Sequence, residues 1–141
     1  MQKTESKKHV DLIAELAQVM KRDGYTITAI DIEGHKKPDV IENSGTIGDG
    51  ENKIPDICST HTSSGRIARG EAKTGEGDIG TQHSITQYCL CSNRSKNGLP
   101  SKLYVIVPGN KRQELNDVIT NNVPRQHWDN IVLVSSEIYS Q

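Results

Sequence analysis

The sequence contains no phenylalanine, and aromatic residues make up only 4% of its 141 positions. Its three cysteines, an odd number, do not form the framework of a disulfide-rich secreted protein and indicate a reducing compartment. No run approaches the ~20 consecutive apolar residues that a membrane-spanning helix needs. The first residues are charged where a signal peptide carries its apolar segment. We therefore expect a cytoplasmic protein with no membrane association.

Neither sign of charge dominates the chain. Seventeen Lys and Arg residues oppose 18 Asp and Glu residues, which gives a net charge of -1 at pH 7. This balance excludes a protein that coats nucleic acid through overall positive charge, but it does not exclude a locally basic groove. Hydrophobic residues make up 33% of the sequence, enough for one small core. We expect a single domain over residues 1–141.

Hydrophobic spacing and turn residues predict a mixed α/β fold. The predicted helices cover residues 6–23, with Ser6 as cap and Gly24 as stop, residues 81–92, capped by Thr81, and residues 110–121, opened by Asn110. The predicted strands cover residues 25–32, 54–60, 66–73, 103–107 and 131–134, the last two buried. The resulting order, α-β-β-β-α-β-α-β, is typical of a mixed central sheet flanked by helices.

Residues 33–53 form a polar, glycine-rich stretch between two predicted strands. A structureless loop of that length is unusual in a compact domain. The stretch is therefore either functional or contains an element that the pattern does not reveal, for which Val40-Ile41 is the candidate.

The strands over residues 54–60 and 66–73 are separated by Thr62-Ser-Ser-Gly65, which predicts a β-hairpin. With the turn centred on the two serines, Asp56 lies opposite Glu71. Directly opposed residues share a sheet face, with Cβ atoms about 4.5–5.5 Å apart. Lys73 lies two residues beyond Glu71 and therefore points to the same face. The predicted register gathers two carboxylates and an ammonium group.

Two carboxylates this close repel each other unless a cation lies between them or one of them binds a proton. A divalent ion with oxygen ligands fits such a pair, and Mg²⁺ is the usual ion where a phosphate completes the coordination. Asp56 and Glu71 are thus candidate metal ligands, and the backbone carbonyl of Ala72 is a further one. Lys73 would orient or help to deprotonate a metal-bound water. The alternative is a surface ion pair between Glu71 and Lys73, with Asp56 solvated.

The order Pro55-Asp56, a gap and then Glu71-Ala72-Lys73 resembles the signature of the PD-(D/E)XK nuclease superfamily. That superfamily includes restriction endonucleases, Holliday-junction resolvases and recombination exonucleases. The resemblance covers residues 6–108 and implies a restriction-endonuclease-like α-β-β-β-α-β core, with residues 109–141 as a C-terminal α-β addition. It implies that Asp56 and Glu71 bind the metal and that Lys73 is the catalytic lysine.

Two further site residues follow from the resemblance alone. Many members of the superfamily have an acidic residue near the metal on the first helix, which would be Glu15, with Asp11 and Glu5 as alternatives. Many also have a glutamine on the helix after Glu-x-Lys, which would be Gln87, facing the metal or the phosphate as part of the catalytic site. His83, one helical turn before Gln87, is interpreted as an ordinary surface residue.

The polar stretch contains a second Pro-Asp pair and a basic pair. If the stretch contains a hairpin, Asp39 replaces Asp56 as the metal ligand, although only Asp56 has a short turn that holds it opposite Glu71. In a nuclease, Lys36 and Lys37 would contact the nucleic-acid backbone.

The sequence therefore predicts an Mg²⁺-dependent deoxyribonuclease that hydrolyses phosphodiester bonds and accepts Mn²⁺. We expect an endonuclease of the junction-resolvase or restriction type, acting as a homodimer. The first alternative is a non-catalytic nucleic-acid-binding or assembly module that retains the same fold. The second is a mixed α/β protein without a nucleic-acid role.

Overall fold

A computed structural model describes residues 6–93 and 100–141. Its helices are α1 (Lys7–Arg22), α2 (Gln82–Cys91) and α3 (Arg112–Asn122). Its strands are β1 (Tyr25–Ile30), β2 (Ile57–His61), β3 (Ile67–Ala72), β4 (Lys102–Pro108) and β5 (Ile131–Ser136). Short 3₁₀ helices at Gly109–Lys111 and Arg125–Asn130 precede α3 and β5. The order of helices and strands is the predicted one, and the mixed α/β class is confirmed.

Helix α1 begins and ends where its capping residues predict. The Ser6 hydroxyl accepts a hydrogen bond from the His9 backbone at 3.1 Å, which caps the first turn. Gly24 ends the helix with a φ of 96°, and a Cβ there would lie 2.8 Å from the His61 ring. The apolar side of α1 packs on one face of the sheet through Leu12, Ile13, Leu16, Ala17 and Met20.

The five strands form one sheet in the order β1-β2-β3-β4-β5. Strands β1, β2 and β3 pair antiparallel, whereas β3, β4 and β5 pair parallel. Strand β4 lies under helices on both faces: Tyr104 and Ile106 pack with α1, while Leu103 and Val105 pack with α2 and α3. This confirms that β4 is buried on both sides.

Several predicted details differ from the structure, and strand β2, for example, begins at Ile57 rather than at residue 54. Strand β5 is only half-buried over residues 131–135, because it lies at the edge of the sheet. Helix α3 does not open at Asn110: the chain first makes the 3₁₀ turn, and Lys111 precedes the helix without a side-chain cap. Strand β1 ends at Ile30 rather than at residue 32.

The stretch over residues 33–53 contains no helix or strand, only an isolated antiparallel bridge between Ile41 and Lys53. It nevertheless packs closely on α2. Ile41 is buried in the same core as α2, and the Asp49 backbone donates to the Thr86 hydroxyl at 2.9 Å. Within the two described parts of the chain, no helix has the length and apolarity needed to cross a bilayer.

Candidate active site

The β2–β3 hairpin sets the register of the candidate site. Its strands pair Ile57 with Gly70 and Cys58 with Arg69, which is the predicted register. One residue further, the Asp56 backbone donates to the Gly70 carbonyl at 3.0 Å. Asp56 and Glu71 therefore stand at the same end of the hairpin, just beyond the last paired residues.

Asp56 and Glu71 are held by reciprocal hydrogen bonds across the hairpin. The Asp56 backbone N–H donates to Glu71 Oε1 at 2.8 Å. In return, the Ala72 backbone N–H donates to Asp56 Oδ2, also at 2.8 Å. In each bond one carboxylate oxygen is the acceptor, which anchors the side chain to the opposite strand. The two carboxyl groups are thus held beside one another by backbone atoms.

Glu71 is the most unusual group in this cluster. It is 0% exposed, and its Oε2 atom has no hydrogen-bond partner within residues 6–93 and 100–141. Burial and, next, the negative charge of Asp56 raise the pKa of Glu71 to about 8, against the opposing influence of Lys73 and His9. A buried oxygen without a donor is costly, so this position favours either a proton or a cation.

Lys73 lies on the same sheet face as Glu71 and contacts helix α2. Its ammonium group donates to Gln87 Oε1 at 2.5 Å, and both side chains are buried, at 7% and 6% exposure. The ammonium also lies 5.9 Å from the centre of the Tyr88 ring. The structure thus brings Gln87 and Lys73 together.

The structure does not bring Glu15 to this site. The two Glu15 oxygens accept hydrogen bonds from the Ser136 hydroxyl at 2.6 Å and the Glu137 backbone at 2.7 Å. Asp11 is bonded to Lys7 and Tyr139, and Glu5 lies outside the described residues.

Helix α1 instead presents His9, whose Nε2 lies 3.4 Å from Asp56 Oδ2. Glu15 follows His9 by six residues, which carries it about 9 Å along the helix axis. The expectation that Glu15 binds the metal is corrected accordingly: that carboxylate is used to attach the end of β5 to α1.

Comparison with protein-family models, with curated proteins and with solved structures gives no match. Within residues 6–93 and 100–141, no group of three or more His, Cys, Asp or Glu side chains is placed to hold a metal ion. The oxygen donors gathered at this end of the hairpin are the two carboxylates of Asp56 and Glu71, with the backbone of Ala72 between Glu71 and Lys73.

A cavity of about 370 Å³ opens beside these residues. It is lined by His9, Asn52, Lys53, Ile54, Asp56, Ala72, Lys73, His83 and Gln87. We call it the hairpin cavity. Lys53 and His83 were not anticipated as site residues, because no motif includes Lys53 and a single exposed histidine on a helix is commonplace.

The basic pair Lys36-Lys37 and the second Pro-Asp pair, Pro38-Asp39, lie outside the hairpin cavity. Lys36, Lys37 and Asp39 are exposed and line a separate, smaller cavity. The Lys37 ammonium lies 3.4 Å from Asp31 Oδ1, and the Asp31 backbone donates to the Asp56 carbonyl at 2.8 Å. Lys37 is therefore linked to the Asp56 backbone through Asp31, whereas Asp39 does not line the hairpin cavity with Asp56.

Proposed function

We propose that the protein is an Mg²⁺- or Mn²⁺-dependent nuclease that hydrolyses phosphodiester bonds of DNA. The observation that carries the proposal is that Asp56 and Lys73 line one cavity while Glu71 is buried beside Asp56, with the two carboxyl groups held by reciprocal backbone hydrogen bonds. The order of helices and strands supports the same proposal, because it agrees with the α-β-β-β-α-β core of the PD-(D/E)XK superfamily, which the sequence resembles.

The residues present fit a hard divalent cation. Among the described residues Glu71 Oε2 is buried without a donor, and the neighbouring Asp56 carboxylate would supply a second oxygen ligand. Asp56 and Glu71 would hold the ion, with the Ala72 carbonyl as a further ligand. When bound, such an ion acidifies water and offsets negative charge on a phosphate.

Lys73 supplies the remaining chemistry from the protein. Gln87 holds its ammonium group in the wall of the cavity, where it donates to an attacking water or to a phosphate oxygen. In hydrolysis the water oxygen bonds to phosphorus and releases a proton, a phosphorus–oxygen ester bond breaks, and the leaving oxygen takes up a proton. A positive charge at Lys73 stabilises the negative charge that grows in this step.

We extend the proposal to the substrate and to the oligomeric state. Lys36 and Lys37 are exposed, and the Lys37 ammonium contacts Asp31, whose backbone donates to the Asp56 carbonyl. Both lysines would bind backbone phosphates of DNA. We propose an endonuclease of the junction-resolvase or restriction type, which acts as a homodimer so that two sites meet two strands.

The test uses the two Pro-Asp pairs of the chain as a matched comparison. Supercoiled plasmid, linear duplex and a four-way junction are incubated with wild type, Asp56→Asn and Asp39→Asn, each with Mg²⁺ or with EDTA. We expect wild type and Asp39→Asn to cut only with Mg²⁺, and Asp56→Asn to lose cutting. Lys73→Ala should lose about 10²–10⁴-fold in rate, whereas Lys21→Ala should cut normally.

Circular dichroism and thermal unfolding establish that each variant is folded before its rate is compared. Cutting by folded Lys73→Ala at the wild-type rate would refute the assigned mechanism. DNA binding without any metal-dependent cutting would favour the non-catalytic binding module.

A further inference from the structure

A buried ion pair stands at one wall of the hairpin cavity. Lys53 is only 3% exposed, and its ammonium group lies 2.7 Å from Asp49 Oδ2. The same ammonium lies 2.7 Å from Nδ1 of His83 on helix α2. A buried lysine with both an anion and an imidazole as partners is a specific arrangement, since burying a charged group is costly unless it is paired and hydrogen-bonded.

This arrangement fixes the proton position on the His83 ring. An ammonium group is a donor only, so Nδ1 must accept the hydrogen bond from Lys53. A neutral imidazole has one donor nitrogen and one acceptor nitrogen, and the proton of His83 is therefore on Nε2. Partial burial, followed by the positive charges of Lys53 and Lys73, lowers the pKa of His83, while Asp49 and Glu51 oppose this. These influences favour the neutral form of the ring.

The segment that carries Lys53 and Asp49 is firmly seated on α2. The Asp49 backbone donates to the Thr86 hydroxyl at 2.9 Å, and a Cβ added at Gly48 would lie 2.0 Å from that same oxygen. The ion pair is therefore fixed to the helix that presents His83, not carried by a detached loop.

His83 lies one helical turn before Gln87, so the two side chains leave the same face of α2. Gln87 contacts Lys73, and His83 lines the cavity that Lys73 and Asp56 line. His83 itself is exposed to solvent. The cavity therefore has the Asp56 carboxylate at the hairpin and nitrogen donors on the α2 side, so an anionic group would bind next to the nitrogen donors.

We propose that His83 binds a phosphate oxygen of the nucleic-acid backbone through its Nε2–H, and that the Lys53–Asp49 pair acts as a positioning device that fixes this tautomer. That this phosphate belongs to DNA rests on the proposed function. The site thereby gains a phosphate-binding residue, His83, and the Lys53–Asp49 ion pair that orients its ring.

The test reads the histidine ring directly by long-range ¹H–¹⁵N correlation spectroscopy on the full chain. In wild type we expect the Nε2–H tautomer of His83. Inorganic phosphate in one arm, and a short DNA duplex with Ca²⁺ in another, should each shift the His83 Nε2 resonance if the site takes any phosphate. A shift with DNA alone supports a site that needs the nucleic-acid backbone.

Variants connect the ring to binding. His83→Ala should weaken duplex binding by about 2- to 10-fold, the range of one hydrogen bond, and His83→Gln should recover part of it through its amide donor. Gln82→Ala, the exposed neighbour on α2, should bind as wild type. Lys53→Met should give a mixture of His83 tautomers. If that variant does not fold, the wild-type spectrum and the His83 variants decide alone.

The outcomes separate this inference from the proposed nuclease. An Nδ1–H tautomer in wild type, or no His83 shift with either probe, overturns the inference even if the plasmid is cut. A His83 shift in a protein that never cuts DNA overturns the nuclease and keeps the phosphate-binding residue.

Discussion

Glu71 combines two properties that are rarely found together in one side chain. It is fully buried, and one of its oxygens has no hydrogen-bond partner among the described residues. An unsatisfied buried polar atom costs about 1–3 kcal/mol. The hairpin nevertheless fixes this group in place through the Asp56 backbone. Such a cost at a fixed position is expected where the side chain serves a ligand rather than the fold.

The pH dependence of stability follows from the same environment. The pKa of Glu71 rises from an ordinary 4.5 to about 8, so the folded protein keeps a proton that the unfolded chain releases. This contribution to stability is complete below pH 4.5 and is lost as the pH rises through 8. In EDTA, the free energy of unfolding of wild type should therefore fall over this interval relative to Glu71→Gln, which carries a neutral amide.

Urea unfolding of both proteins at a series of pH values measures this difference. The difference between wild type and Glu71→Gln should change steadily between about pH 4.5 and 8 and then level off. A constant difference across the interval would show that Glu71 titrates normally in the folded state.

At the scale of elements, the segment over residues 33–53 is held to α2 by a close backbone approach at Gly48. A Cβ there would lie 2.0 Å from Thr86 Oγ1, whereas a Cβ at Gly34 would meet nothing within 4 Å. Both glycines have a positive φ, 54° and 88°, so alanine is strained at both positions. Because both alanine substitutions strain the backbone, the difference between them measures the steric contact of residue 48 with α2.

Gly48→Ala should lower the free energy of unfolding by about 1–3 kcal/mol more than Gly34→Ala, because the added methyl group overpacks the contact. It should also speed hydrogen exchange at the Asp49 amide, which donates to Thr86. Urea unfolding and exchange measured by NMR provide the two readouts. Equal effects of the two substitutions would mean that the segment is not seated on α2.

Turn residues and strand register depend on residues close together in the sequence, and they account for the strands and the hairpin register that were predicted correctly. The turn residues Thr62 to Gly65 determine the hairpin register, and the register alone places Asp56 near Glu71. Lys53 and His83 could not be found this way, because they are 30 positions apart and meet only when an aperiodic segment packs on a helix. Glu15 was placed incorrectly because the rotation of α1 against the sheet depends on packing, and that rotation brings His9 to the site instead.

At the scale of the whole molecule, the charge balance means that any DNA binding must come from a local basic surface. The chain carries a net charge of -1, and Lys36 and Lys37 are an exposed basic pair. Each phosphate contact adds about 0.9 to the slope of log affinity against log salt. Replacing both lysines with alanine should therefore reduce this slope by about 2.

The exposed pair Lys21-Arg22 at the end of α1 offers a matched control with the same change in net charge. Fluorescence anisotropy with a labelled duplex across a salt series measures both double variants. An equal loss of slope in the two would indicate a general charge effect rather than backbone contacts at Lys36 and Lys37.

The central claim is that Asp56 and Glu71 together hold a divalent ion, and paramagnetic broadening by Mn²⁺ tests it most directly. In a ¹⁵N-labelled protein, substoichiometric Mn²⁺ should broaden the amide signals of Asp56 and Ala72 first, because these amides bond to the two carboxylates. EDTA should restore the signals, and Glu71→Gln should abolish the effect. Broadening that is uniform, or centred on another part of the chain, would contradict the account.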